Sequence, residues 1–527
     1  MRSKRAAAQP KARKPARSSG RRPLILLGIL AVGMLVAYAK IFRFPFIQDD
    51  WGWIYRFRTE SPQSLFRTFF TPTGVLFFRP LALSYLYGMY RIFGVNPVPF
   101  HVVALLMHFA NACLLIAIMR RVTRDELVPY AIGFVYAFAV AIVLDPLLWA
   151  VGIFDLGASS LFLLSMYFFM KERPVASAVA YLVGCLFKET VIVLPVILFA
   201  YALMARAESR MTLRTLLRRR LAPIAVALCV IVAIKMMGRR PTELGATDPY
   251  YVLFFGRDSL YILSIYVACL CQSLVPFGNI KGPSFKPVGV WLLILFVVCV
   301  WLVTRRRRGK PVADRALARE FWFFAAWYWT VVLPLLLMPN HAYRYYMMYA
   351  LPAFVALMFT EARLLISAVR LGHRFERAFI FGLALFAVLS SAICAQTVFN
   401  GGMEMNSLLV GTNSLVRKAT LVNLVHDGLL KLAPALPPNA VIVLANVDVW
   451  AFNKDSGPRI WYGDRTISVY PIESLLIDST GVYVIEGLKT QGQLYTGGTV
   501  ENRRVDLDRF FSFALDDEMK FRPAKFK

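Results

Sequence analysis

Charge is what this sequence has least of. Asp, Glu, Lys and Arg together make up 17% of its 527 residues, where a soluble domain carries about a quarter. Acids are the scarcer half, 31 against 60 Lys and Arg, which leaves a net charge of +29. Cysteine is also sparse. Of the seven, five stand alone in apolar stretches, and Cys269 and Cys271 share one. None has zinc-ligand spacing and the polar segments hold none, which argues against a disulfide framework and leaves packing as their role. A Walker loop, GxGxxG, HExxH and GxSxG are all missing, so soluble nucleotide-binding and hydrolase templates find no purchase. No internal repeat is present, and the hydropathy lacks the pseudo-symmetry usual in transporters.

What is there is apolar. The chain is 58% hydrophobic with a mean hydropathy of +0.57. The excess falls in blocks of about 17–22 residues, each long enough to cross a bilayer as a helix. The pattern predicts a polytopic α-helical membrane protein with about eleven spans, near 23–42, 101–119, 128–148, 156–170, 174–187, 189–205, 221–237, 289–304, 320–338, 345–368 and 377–397. The basic clusters flank these blocks, which reads as topology and not as nucleic-acid binding. Arg120-Arg121 with Arg124, Lys171 with Arg173, Arg218 to Arg220, Arg305 to Arg308, and Arg370 with Arg374 are expected on the cytoplasmic side. Residues 258–276 are apolar enough to span, but a full span would invert Arg305 to Arg308, so a re-entrant or surface-lying helix is expected.

Residues 1–22 contain no acid and read as a disordered basic cytoplasmic arm. The next run ends in Ala37-Tyr38-Ala39, which resembles a signal-peptidase site, but a retained anchor suits the residues that follow better. The transmembrane module is expected over 23–397, with a first external loop at 43–100 whose aromatic, amphipathic character suggests interfacial helices. Residues 398–527 show short apolar runs at 440–445, 467–470 and 482–485 between Pro, Gly and Asp, the pattern of a small extracytoplasmic α/β domain. A compact chain without a KDEL-type signal points to a bacterial inner membrane, N-terminus cytoplasmic and C-terminal domain periplasmic.

The most informative short feature is Gln48-Asp49-Asp50, just after the first apolar run. Adjacent carboxylates at a membrane surface could hold a divalent cation such as Mg or Mn, or one could be a general base. Equally, Asp50 could cap the helix that begins at Trp51. The expected topology places Asp145, Asp155 and the Lys188-Glu189 pair on the same external side. Ionisable groups at such depth mark a functional site by default; the alternative is that Lys188 and Glu189 merely end two short helices. Arg79 and Arg344 are also external, against the positive-inside trend, which suggests an anionic ligand such as phosphate. His101 and His108 lie on one face with Asn111 a turn on, and interhelical hydrogen bonding is a better reading than metal ligation.

The runs FPFIQDDWGW and FFRPLALSYLYGMYRIFGVNPVPFHVVALLMHFANACLL resemble the first external loop and second helix of GT-C glycosyltransferases. The branch most similar is that of the protein O-mannosyltransferases and their bacterial relatives. AVGIFDLGASSLFLL, LFKETVIVLP and NHAYRYYMMYALPAF add to the resemblance, which covers about 23–368. It implies a GT-C-like fold and an inverting transferase that takes sugar from a polyprenyl-phosphate donor in the lipid bilayer and passes it to a protein, lipid or glycan acceptor. It also implies roles: Asp49 as base, Asp50 as its support or a metal ligand, and Asp155 as the second acidic position. Lys188, Arg344 and Arg79 would neutralise the donor phosphate, with Glu189, His101 and Tyr345 supporting. Asp50 stands where relatives often carry Glu or Asp, so the need for a metal stays open. A non-catalytic lipid- or glycan-binding scaffold and a polyprenyl-lipid transporter are the alternatives.

Overall fold

A computed structural model describes residues 21–72, 77–123, 125–209, 212–238, 253, 255–274, 295–301, 312–338, 342–399, 414–478, 480–486, 501–516 and 518–524. Most of the expected 289–304 span, Arg124, Arg305 to Arg308 and residues 1–20 lie outside them.

The first ten helices are α1 (Arg21–Tyr38), α2 (Asp49–Thr59), α3 (Pro62–Phe70), α4 (Pro80–Phe93), α5 (Val98–Val122), α6 (Val128–Phe138), α7 (Val140–Leu148), α8 (Ile153–Met170), α9 (Pro174–Phe187) and α10 (Leu194–Ser209). Among the described residues, seven helical stretches are long and apolar enough to cross a membrane. They are Arg22–Arg43, Val98–Val122, Ala150–Met170, Glu189–Arg206, Arg214–Met237, Leu351–Ala368 and His373–Phe399, and the pair α6–α7 makes an eighth if counted as one span. Apolar side chains such as Leu24, Ile29, Val32 and Val36 on α1 stay exposed, the mark of a lipid-facing surface. The chain is an integral membrane protein.

Three of the eleven expected spans are not among these. The 289–304 span is largely undescribed. Helix α9 has 14 residues, about 21 Å of helix against a hydrocarbon core of about 30 Å. The 320–338 span overlaps a helix that starts earlier and ends at Leu335, Val312–Leu335, whose first turns carry Asp314, Arg315, Arg319 and Glu320. The Arg257–Cys271 helix, 15 residues long, packs against α7 and the 3-10 turn Arg344–Tyr349.

The expected continuous helix at 128–148 is broken at Ala139, and its halves are bent by 53°. A break frees carbonyls that lipid cannot satisfy, so side chains must. The Tyr38 hydroxyl donates to the Ala137 carbonyl at 3.1 Å, and His108 Nε2 approaches the same oxygen at 3.0 Å. His101 bridges in the same way, Nδ1 to Leu147 O at 3.1 Å and Nε2 to Phe44 O at 3.2 Å, and the Asn111 amide donates to Leu156 O. These polar residues of the second span are therefore interhelical hydrogen-bonders.

The loop after α1 folds into three helices. Ser61 caps α3, its hydroxyl accepting from Ser64 N at 3.2 Å with Pro62 at the first helical position. Helix α4 begins on Pro80 and ends at Gly94, whose φ of 61° suits glycine.

The C-terminal part forms the expected α/β structure. Strands β1 (Val441–Ala445), β2 (Ser468–Pro471), β3 (Leu475–Asp478), β4 (Gly481–Glu486), β5 (Glu501–Arg504), β6 (Phe510–Leu515) and β7 (Phe521–Pro523) make two sheets. One has the order β2-β1-β6-β7 with β1 parallel to both β2 and β6; the other is the antiparallel meander β3-β4-β5. Helix Ser414–Leu432 packs on β7, and Gly428 leaves room for the Phe521 ring, which a Cβ would meet at 2.3 Å.

Helices α5 and α6 approach closely at Gly133, where a Cβ would lie 2.3 Å from Ile116 Cγ1. Gly133→Ala is expected to lower stability by about 1–3 kcal/mol through overpacking. Ile116→Ala in the same chain should return part of the loss, measured as thermal unfolding of the purified protein in detergent.

Candidate functional site

The site begins with a sharp reversal of the chain. Gln48 has φ 50° and ψ −124°, a region that a residue with a Cβ enters at a cost of about 1–3 kcal/mol. Two bonds hold it. Gln48 N donates to the Ala451 carbonyl of the C-terminal domain at 2.7 Å, and Trp51 Nε1 donates to Phe46 O at 2.7 Å. The reversal sends the two aspartates to different places.

Asp50 turns inward and is 2% exposed. Its Oδ2 accepts from Ile47 N at 3.1 Å and Ala150 N at 3.3 Å, and Oδ1 accepts from Val151 N at 2.9 Å. It does cap a helix, though not its own: the amides of Ala150 and Val151 open the 3-10 turn Ala150–Gly152 that leads into α8. Burial pushes its carboxyl up to about 7, against the pull of the three amides, with Asp49 adding to the rise.

Asp49 turns outward. It lines a cleft of about 320 Å³ between α2 and the C-terminal domain, together with Gly52, Trp53, Tyr55, Arg56, Asn453 and Ser456. Its side chain is exposed at the cleft, and no hydrogen bond to it is formed among the described residues. The walls thin the water around it and raise its carboxyl above the ordinary value, while Lys418 and Arg79 pull it back. Gly52 makes this closeness possible, since a Cβ there would sit 3.0 Å from Asn453 Oδ1.

Behind Asp49 stand three ion pairs. Arg79 binds Glu189 through two nitrogens, Nε to Oε2 at 2.9 Å and Nη2 to Oε1, with its guanidinium 4.4 Å from the centre of the Phe77 ring. Lys188 Nζ lies 2.6 Å from both oxygens of Asp155 and 5.0 and 4.9 Å from the ring centres of Tyr345 and Tyr346. Arg344 grips Asp145 in a fork, Nε to Oδ2 at 2.7 Å and Nη2 to Oδ1 at 2.6 Å. The Lys188–Asp155 side chains are 4% and 5% exposed, whereas the arginines keep 15% and 17% and Glu189 keeps 29%. The structure thus brings Arg79, Glu189, Lys188, Asp155, Tyr345 and Tyr346 into one connected cluster, with Asp49 facing it through Arg79, while Arg344 and Asp145 form a separate pair one residue before Tyr345.

It also changes how several of these residues read. The cations expected to meet phosphate are each held by an acid. The adjacent aspartates point different ways, Asp50 to three backbone amides and Asp49 to the cleft. Among the described residues no group of three His, Cys, Asp or Glu is placed to hold a metal. His101, expected beside the site, lies between two backbone carbonyls, Leu147 O and Phe44 O, to one of which its ring N–H donates. The sequence reading left out Asp145 as the partner of Arg344, although a lone acid in the apolar run VAIVLDPLL signals one. Asn453 and the conformation of Gln48 gave no signal, because both depend on contacts between distant segments.

No family model matches the chain, and no curated protein does. Among solved structures, the undecaprenyl phosphate-bound ArnT of Cupriavidus metallidurans is similar over 86% of this chain and 86% of its own, at 16% identity and a TM-score of 0.46. The apo oligosaccharyltransferase of Archaeoglobus fulgidus is similar over 86% of this chain and 65% of its own, at 12% identity and a TM-score of 0.45. ArnT in its apo state gives a TM-score of 0.41. All three scores lie below 0.5, and what the site can do follows from its own residues.

Two substitutions separate structure from chemistry. Asp50→Ala would strand three buried amides, each costing about 1–3 kcal/mol, and should lower the melting temperature sharply; Asp49→Asn should leave it within a degree or two. Because the Asp50 carboxyl is raised in the folded chain, its contribution is fully present below the ordinary value of 3.8 and is lost as pH rises to about 7. Asp50→Asn should remove that slope from a stability–pH profile.

Lys188→Ala should cost about 3–5 kcal/mol by leaving Asp155 buried without its partner. The double variant Lys188→Met, Asp155→Leu should regain much of that stability in the same melt.

Proposed function

We propose that the chain is an inverting glycosyltransferase that moves a sugar from a polyprenyl-phosphate donor to an acceptor hydroxyl on the non-cytoplasmic face. One observation carries this reading: Asp49, exposed in a cleft and without a hydrogen-bond partner among the described residues, stands beside Arg79 and the coupled pairs Arg79–Glu189 and Lys188–Asp155. Displacement at an anomeric carbon needs a base on one face and charge stabilisation on the other. Asp49 takes the proton of the acceptor hydroxyl as that oxygen forms its bond to the anomeric carbon. The carbon–oxygen bond to phosphate breaks on the opposite face, and the phosphate leaves with the electron pair.

Arg79 and Arg344 are the partly exposed cations, and both already hold a carboxylate in fork geometry. A phosphate offers the same two-oxygen edge. Donor binding is therefore an exchange, in which phosphate takes over from Glu189 and Asp145. Lys188 stays with Asp155 beneath the Tyr345 and Tyr346 rings and fixes the floor. The narrower resemblance, to the protein O-mannosyltransferase branch, leaves the donor sugar open.

Asp49→Asn should reduce transfer by at least a hundredfold, as expected for losing a general base, without altering the fold. Mass spectrometry of glycans in a deletion strain complemented with either chain reads this out; an unchanged profile with the variant rejects the assignment. The acidic limb of the rate profile should lie above the ordinary carboxylate value, because the cleft walls strip water from Asp49, and activity should fall as pH drops through that limb.

A further inference from the structure

The cleft in front of Asp49 is walled by two parts of the chain about 400 residues apart, and its chemistry is selective. Its aromatic wall is Trp53 and Tyr55 on α2, each with a guanidinium over one face, Arg56 at 5.2 Å from the Trp53 ring centre and Arg459 at 5.6 Å from that of Tyr55. Opposite, Asn453 and Ser456 come from the C-terminal domain, the Ser456 hydroxyl donating to Asn453 Oδ1 at 3.0 Å. That bond leaves the Asn453 amide nitrogen directed to no partner among the described residues. Asn453 is held in a left-handed conformation, φ 56°, where asparagine is one of the few residues at ease. The cations at its rim are already matched. Arg56 is bound by Glu60, Arg459 by Asp455 and Lys418 by Asp448.

A groove with an aromatic side, an amide and a hydroxyl on the other, and the Asp49 carboxylate between them repels an anion and repels nothing neutral. A pyranose fits that description. Its C–H face packs on an aromatic ring, while its hydroxyls both donate and accept. The volume is at the lower end for a small-molecule site, enough for a terminal sugar and not for a long chain.

We infer that this cleft is the acceptor subsite and that it takes the uncharged pyranose end of a glycan, with Asn453 and Trp53 as its specificity-determining residues. The inference rests on Asp49 acting as the base, which places the acceptor hydroxyl at the inner end of the cleft.

Saturation-transfer NMR on the full chain in detergent, with a panel of neutral methyl pyranosides as probes, tests it. Ring protons of at least one member should receive saturation. Trp53→Leu and Asn453→Gly should each weaken that binding at least fivefold with the melting temperature unchanged; glycine keeps the backbone conformation of residue 453. Ser456→Ala, a milder change at the rim, should weaken it as well and serves where either of the others unfolds. Asp49→Asn should keep the binding and lose transfer. No saturation of any probe, or binding indifferent to all three cleft variants, overturns the inference. So does a serine-containing peptide that binds the cleft where the pyranosides do not. If Asp49→Asn keeps transfer while the cleft variants lose binding, the subsite stands and the choice of base is wrong.

Discussion

A single buried carboxylate sets the positions of everything around it. Asp50 accepts hydrogen bonds from Ile47 on its own turn and from Ala150 and Val151, a hundred residues on. Three amides on one carboxylate make a rigid joint, since each bond fixes a direction as well as a distance. The joint ties the loop after the first span to the turn that starts α8. Asp155 sits on the first turn of α8, so the placement of Asp49 relative to the Asp155–Lys188 pair is inherited from Asp50. Two adjacent aspartates thus divide the work, one holding the frame and the other facing the cleft.

The ion pairs answer a second constraint. Charges inside a membrane protein are costly, and one left alone would disfavour the fold. Pairing Arg79 with Glu189, Lys188 with Asp155 and Arg344 with Asp145 offsets that cost. Their burial is graded. The innermost pair is sealed under two tyrosines, while the arginine pairs remain partly open, so the pairs that can exchange partners are those a ligand can reach. A site built this way is neutral as it stands, each cation being matched by one acid.

Much of this was legible in the sequence, and the illegible part has a common cause. Long apolar runs gave eight of the eleven expected spans, because hydropathy is local. The strands at β1, β2 and β4 could be read from short apolar runs bounded by turn residues. Arg79, Lys188, Glu189 and Arg344 stood out because a charge in an apolar run is conspicuous wherever it folds. What could not be read was partnership. Nothing within ten residues of Arg344 points to Asp145, and no window shows that Asp50 would cap the turn before α8 while Asp49 stayed free. The break at Ala139 was hidden as well, since neither proline nor glycine marks it; Tyr38 and His108, which satisfy the Ala137 carbonyl there, lie on other helices. The short α9 was read with its observed bounds, and at 14 residues it falls short of a full crossing.

The C-terminal domain then ceases to be an appendage. Its Ala451 carbonyl receives the amide of Gln48 and so holds the one strained residue in the turn that carries both aspartates. Trp461 packs edge-on against Trp51 at 5.6 Å between ring centres, and Arg58 donates to Ile460 O at 3.3 Å. A strained turn persists only where its surroundings over-determine it, and here half of those surroundings lie more than 400 positions away. The conformation that turns Asp49 into the cleft therefore depends on the docked domain, and the same contact supplies the far wall of that cleft. One interface both shapes the acid and bounds the space it faces, so the two cannot drift apart independently.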